Sequence, residues 1–97
     1  MPNSNIRKIV HIEVKPGQAE AARDALAQLE EATRREDGCV SFQFFQALSA
    51  PHSFLLIEDF RDRAALDVHM GQPHTRAFFA RELVAAIRPV EPGWLVS

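Results

Sequence analysis

The sequence predicts an α+β fold in which one antiparallel sheet carries its helices on a single face, in the order β-α-β-β-α-β. Three observations lead there: a segment of strand period near the start, a long stretch with apolar residues three and four apart, and a Phe- and Val-rich hairpin followed by a second helical half. This is the ferredoxin-like arrangement, read as one domain over residues 1–97.

The first strand spans Ile6 to Val14, with Val10, Ile12 and Val14 on one side and Arg7, Ile9, His11 and Glu13 on the other. Pro16 and Gly17 end it. From Gln18 to about Arg35 the positions Ala19, Ala22, Leu26, Leu29 and Thr33 form one buried stripe on a helix. The opposite face carries Glu30 with Arg34 and Glu31 with Arg35, i,i+4 pairs in the favourable order, read as a solvated surface. Asp37 and Gly38 break this helix. Cys39 to Ala47 and Ser53 to Phe60 then form a hairpin around Ser49-Ala50-Pro51-His52. Asp62 N-caps a short helix to about Met70, Gly71 stops it, and Pro73 opens another helix, predicted to run to Arg88. A terminal strand is predicted around Val90 to Val96, flanked by Pro89 and Pro92 and therefore at a sheet edge.

The composition excludes several classes of function. With 11 basic and 13 acidic side chains the net charge is −2, so an extended phosphate backbone meets no general attraction and no nucleic-acid partner is expected. No apolar run long enough for a membrane span and no secretory leader is read, so a cytoplasmic location without membrane association is expected. A lone cysteine, Cys39, forms neither an internal disulfide nor a thiolate cluster, and it has no base beside it in the sequence. Phosphate loops, dinucleotide glycine fingerprints and closely spaced metal-ligand pairs are absent.

The hairpin is apolar on both faces. Val40, Phe42 and Phe44 point one way and Phe45 the other, while Phe54, Leu56 and Phe60 oppose Leu55 and Ile57. Helices cover only one face, and a chain this short buries only about 60 to 68% of its unfolded surface. A homodimer with sheets packed face to face, an α+β barrel, is the expectation. Trp94 is expected to anchor that contact.

Several short motifs carry a resemblance. They are Val14-Lys15-Pro16-Gly17, Arg35-Glu36-Asp37-Gly38-Cys39, Glu58-Asp59-Phe60, Ala65-Leu66 with His69, and Pro73-His74 leading to Phe78. In this order and spacing the chain resembles the antibiotic biosynthesis monooxygenase domain family, small dimeric α+β barrels that include quinol and anthrone monooxygenases. The resemblance implies oxygen insertion into an electron-rich aromatic substrate without metal, flavin or haem, so O2 and a quinol-like or polycyclic phenol are the expected partners. Tyr is absent and Trp94 is the one indole, so members that use Tyr or Trp beside an anthrone are not matched residue for residue. Haem-degrading relatives carry an Asn in the first strand and a Trp where this chain has His69, which disfavours haem.

A deprotonated phenol in a dry pocket can pass an electron to O2, so the protein needs a base, an apolar cavity and positioning. His69 or His74, near the joint of the two later helices, is the expected base or substrate anchor. Glu58 lies in register with Phe54, Leu56 and Phe60, so its carboxyl is either paired, with Arg61, Arg63 or Arg76, or catalytic, and its pKa should rise. Phe78, Phe60 and Phe42 are expected to wall the substrate, and His11 lines either the pocket or the subunit interface. His52 is expected to be exposed. Two alternatives are a non-haem iron site of His69, His74 and Glu58, and a non-oxygenase small-molecule binder or isomerase on the same fold.

Overall fold

The computed structural model describes residues 4–91. Its elements are β1 (Ile6–Val14), α1 (Ala19–Arg34), β2 (Cys39–Gln46), β3 (Ser53–Phe60), α2 (Arg63–Gly71), α3 (Pro73–Ala80) and β4 (Val84–Pro89). The strands form one antiparallel sheet in the order β2-β3-β1-β4. The ferredoxin-like order is therefore as the sequence predicts. Among the described residues no helix is long and apolar enough to cross a membrane.

Burial follows the predicted periods. Ile12 and Val14 of β1, Phe42 of β2, and Phe54, Leu56 and Phe60 of β3 meet Ala22, Ala25, Leu26 and Leu29 of α1 in one core. Ala65 and Leu66 of α2, Phe78 of α3 and Leu83 complete it. Asp62 caps α2 by accepting the Ala65 N–H at 2.8 Å, and Pro73 opens α3.

The second half differs from the predicted boundaries. The last helix ends at Ala80 instead of reaching Arg88, because the Phe78 and Phe79 carbonyls accept the Arg81 and Glu82 N–H groups and Glu82 then turns left-handed at φ 53°. The strand that follows starts at Val84, six residues before the predicted Val90, and pairs with β1 at the sheet edge, where Pro89 lacks no needed donor. Trp94 and the rest of the predicted terminal strand beyond Glu91 lie outside the described residues.

Two local corrections concern the hairpin and α1. A register shift between Cys39 and Ser41 makes Val40 the extra residue of a bulge, so Val40 is exposed and Cys39 packs on the core instead. The helix charges also do more than solvate a surface. Besides pairing with each other, Glu30 accepts the Phe44 N–H at 2.8 Å and Arg34 donates to the Phe42 carbonyl at 3.0 Å, which covers the open edge of β2. His52 is half-buried and its Nε2 accepts the Gly17 N–H at 3.3 Å, steadying the left-handed turn at Gly17.

Gly38 is required by close approach. A Cβ at this position would stand 2.3 Å from the Ala65 Cβ and 3.3 Å from its Cα, so the loop after α1 lies directly on α2. Gly38→Ala should destabilise the fold by about 1–3 kcal/mol through overpacking, read as a lower urea midpoint at unchanged m-value. An unaltered midpoint would mean that α2 is free to move away from this loop.

Candidate functional site

The loop between α1 and β2 places Glu36. Its N–H donates to the Thr33 carbonyl at 3.0 Å, and its own carbonyl accepts from Cys39 at 3.1 Å, so the residue is held on both sides as the helix unwinds. Its side chain turns inward, with 7% exposure, toward the joint of α2 and α3.

Two imidazoles meet it there. His69, in the last turn of α2, lies with Nδ1 2.8 Å from Glu36 Oε2, and His74, in the first turn of α3, lies with Nε2 2.6 Å from the same oxygen. The Thr75 hydroxyl approaches His69 Nδ1 at 3.4 Å. Gln72, with ψ 146°, breaks the helical path between the two histidines, and this corner lets residues five apart face one carboxylate. The other oxygen of Glu36, Oε1, is buried and has no hydrogen-bond partner among the described residues.

The His69 ring is fixed by aromatic packing. Its centroid lies 5.2 Å from that of Phe42 and 5.0 Å from that of Phe60, and the side chain is 5% exposed. With Nδ1 donating to a carboxylate, Nε2 remains as the basic nitrogen. This ring lines a partly open cavity of about 160 Å³ between the helices and the sheet. Phe42, Phe44, Leu56, Phe78 and Glu58 also line it, and the half-exposed Met70, Phe79 and Ile87 mark its mouth beside β4.

The predicted site residues do not all share one place. His69, Glu58, Phe42 and Phe78 line the cavity. His74 is beside it rather than in it: its side chain is 25% exposed and lines an outer groove with Ala25, Gln28, Phe78 and Arg81, and it reaches the interior only through Glu36. Phe60 is fully buried behind His69 and supports that ring instead of walling the cavity. His11 is not a cavity residue. It projects from the opposite face of the sheet, as its alternation with Val10 and Ile12 requires, where Nε2 is 2.7 Å from the Ser53 hydroxyl and Arg88 reaches Nδ1 at 3.1 Å.

Glu58 makes none of the ion pairs that were its structural alternative. Arg61 pairs with Asp37 and Asp62, Arg63 pairs with Asp67, and Arg76 is in no ion pair among the described residues. Burial pushes the Glu58 carboxyl above its ordinary value of 4.5, with a smaller opposing pull from Lys8. A raised folded-state pKa means that the unfolded chain ionises first as pH rises, so this group lowers stability progressively above about pH 4.5. Glu58→Gln should therefore be more stable than the parent at pH 7, with the advantage disappearing below about pH 4.5 in urea titrations. The opposite order at pH 7 would show a stabilising partner for the carboxylate.

Glu36 is the principal residue that the sequence reading passed over. It stands in the Arg35-Glu36-Asp37-Gly38 segment as one acid of a polar helix end, where a solvated role is usual, and only its depth distinguishes it from Asp37, which is exposed. The carboxylate of the His69 and His74 cluster is thus Glu36, not Glu58. Their donor atoms lie within 4.8 Å of one another, the one cluster of this kind among the described residues. Cys39 is inert by contrast: burial, and then the negative charge of Glu36, push its thiol pKa up.

Comparison with known proteins accords with this architecture. A cyanobacterial protein of Synechocystis, sll1783, is 33% identical over 81 residues, 84% of this chain, which spans 55% of that relative's length. Rv0793 of Mycobacterium tuberculosis, named as a candidate monooxygenase, is 32% identical over 87 residues, covering 90% of this chain and 85% of Rv0793. The crystal structure of PA3566 from Pseudomonas aeruginosa superposes with a TM-score of 0.83 at 30% identity and 90% coverage of both chains. That of Rv0793 gives 0.78 at 30% identity, covering 92% and 95%. The family model for antibiotic biosynthesis monooxygenase matches residues 5–81, a span that contains every residue of the Glu36 cluster and all the core strands but β4. The chain belongs to the antibiotic biosynthesis monooxygenase family.

Proposed function

We propose that the protein is a monooxygenase that oxidises a one-ring, quinol-like phenol with O2 and without a cofactor. The observation that carries this reading is His69, an imidazole held by a buried carboxylate on one side and facing an apolar cavity on the other. An engineered apolar cavity of about 150 Å³ in another protein takes up benzene, so about 160 Å³ suits a single aromatic ring better than a polycyclic phenol.

In the proposed reaction His69 Nε2 takes the phenol proton, and Glu36 stabilises the resulting imidazolium. The phenolate passes one electron to O2, and the phenoxyl and superoxide radicals join as a ring hydroperoxide after His69 returns the proton. Loss of water then leaves a quinone, so phenol and O2 become quinone and water with all atoms accounted for. Glu58, whose carboxyl burial pushes above its ordinary value and which lines the cavity, serves in this scheme as the proton donor to the departing oxygen. The test is O2 uptake with a panel of hydroquinones and phenols in metal-free, flavin-free buffer. Uptake with equimolar quinone formation is expected, whereas tight binding of the panel without uptake favours a binder or isomerase.

The working unit is proposed to be a homodimer. Ile9 and Ile57 are neighbours on the outer sheet face, as are His11, Leu55 and Phe45, and Phe45 and Ile57 are 46% and 43% exposed. Sedimentation at micromolar concentration should give twice the chain mass of 10.9 kDa, and Ile57→Lys should return the single-chain mass. A parent that sediments as one chain overturns the dimer.

A further inference from the structure

We infer that Glu36, His69 and His74 form a binding site for a divalent transition-metal ion of the Zn2+ and Co2+ class. Two imidazole nitrogens and a carboxylate come from three separate places in the fold, the loop after α1, the end of α2 and the start of α3, and converge within 4.8 Å. Imidazole with one carboxylate selects borderline ions such as Zn2+ and Co2+ over Mg2+ and Ca2+, which prefer all-oxygen sites. Three protein ligands with a fourth position for water is a familiar coordination for such ions.

A second observation points to a ligand independently. Glu36 Oε1 is buried without a partner, while both imidazoles crowd onto Oε2 at 2.6 and 2.8 Å. Leaving a carboxylate oxygen buried and unpaired costs about 1–3 kcal/mol or more. An ion bound through Oε1 relieves that cost and leaves the two imidazoles and one carboxylate oxygen as its three protein ligands. With metal-ligand bonds of about 2.0–2.2 Å, tetrahedral ligands stand about 3.3–3.5 Å apart, so the carboxylate–imidazole separations of 2.8 and 2.6 Å have to open by about 0.5–0.9 Å to admit the ion. Side-chain torsions of Glu36 and of the partly exposed His74 can supply that movement. The outer groove that His74 lines gives the ion a path from solvent.

The site has a consequence that rests on the proposed function. A metal on His69 Nδ1 leaves the ring's one proton on Nε2, so the nitrogen that the proposed reaction uses as its base becomes a donor and cannot accept the phenol proton. Metal binding is therefore inhibitory.

The experiment is Co2+ titration of tag-free protein, followed by visible absorption, with Zn2+ calorimetry alongside. The expected result is one ion per chain with the intense visible bands of four-coordinate Co2+. His74→Ala and Glu36→Gln should each bind at least tenfold more weakly while retaining the parent's far-ultraviolet circular dichroism. Absence of those bands, or equal Zn2+ affinity in the parent and His74→Ala, overturns the site. Because His74 is partly exposed, that variant keeps the test decisive even if Glu36→Gln fails to fold. Neither readout depends on turnover, so failure of the site and failure of the oxygenase reading are distinguishable. Oxygen uptake that falls as the Co2+ bands grow supports the consequence, and uptake that rises with the ion leaves the site standing while overturning the cofactor-free reaction.

Discussion

His69→Gln should lower the rate of oxygen uptake by about 10²–10⁴-fold, the usual contribution of a positioned general base. Gln fills much of the same space between Phe42 and Phe60, so the fold should survive, and an unchanged circular dichroism spectrum separates lost chemistry from lost structure. Its amide cannot accept a phenol proton at neutral pH. The loss should appear mainly in kcat, because the apolar lining that binds the ring is untouched. A variant retaining more than a tenth of parental turnover would remove His69 from the chemistry. His74→Ala in the same assay is expected to cost less, since that ring contacts Glu36 from the groove side and does not line the cavity.

Phe60→Ala should produce the largest loss of stability, about 3–5 kcal/mol. The ring is fully buried at the end of β3, packs edge-on to Phe42 at 6.2 Å and stacks near His69 at 5.0 Å, so truncation opens a void on two sides at once. Folded domains of this size have only about 5–15 kcal/mol of net stability, so the variant should sit near its unfolding midpoint in dilute urea. Phe60→Leu should recover most of the loss. Should Phe60→Ala cost under about 1 kcal/mol, the ring is not buttressing His69 as described.

Much of the fold is legible in the sequence because its dominant force is local in pattern. The three- and four-residue spacing of Ala22, Leu26, Leu29 and Thr33 could bury only as a helix, and the alternation around Ile12 and Phe54 only as strands. The boundary after α3 was not legible, because Glu82 takes the left-handed turn that glycine usually marks, and a glutamate there carries no signal. Val40 illustrates a different limit: a single bulged residue reverses which neighbour faces the core, and strand period cannot locate it.

The candidate site divides along the same line. Composition and periodicity determined that the chain makes one sheet with helices on one face, that Glu58 shares the aromatic side of β3, and that His69 and His74 flank a helix joint. Tertiary structure alone decided that Glu36, 33 and 38 positions away, is the carboxylate both imidazoles meet, that His74 opens to the groove, and that Phe60 backs a ring instead of lining a cavity. The reason is physical: period fixes which face a side chain takes, whereas the depth of a polar group and its partner across the core depend on how separate elements pack.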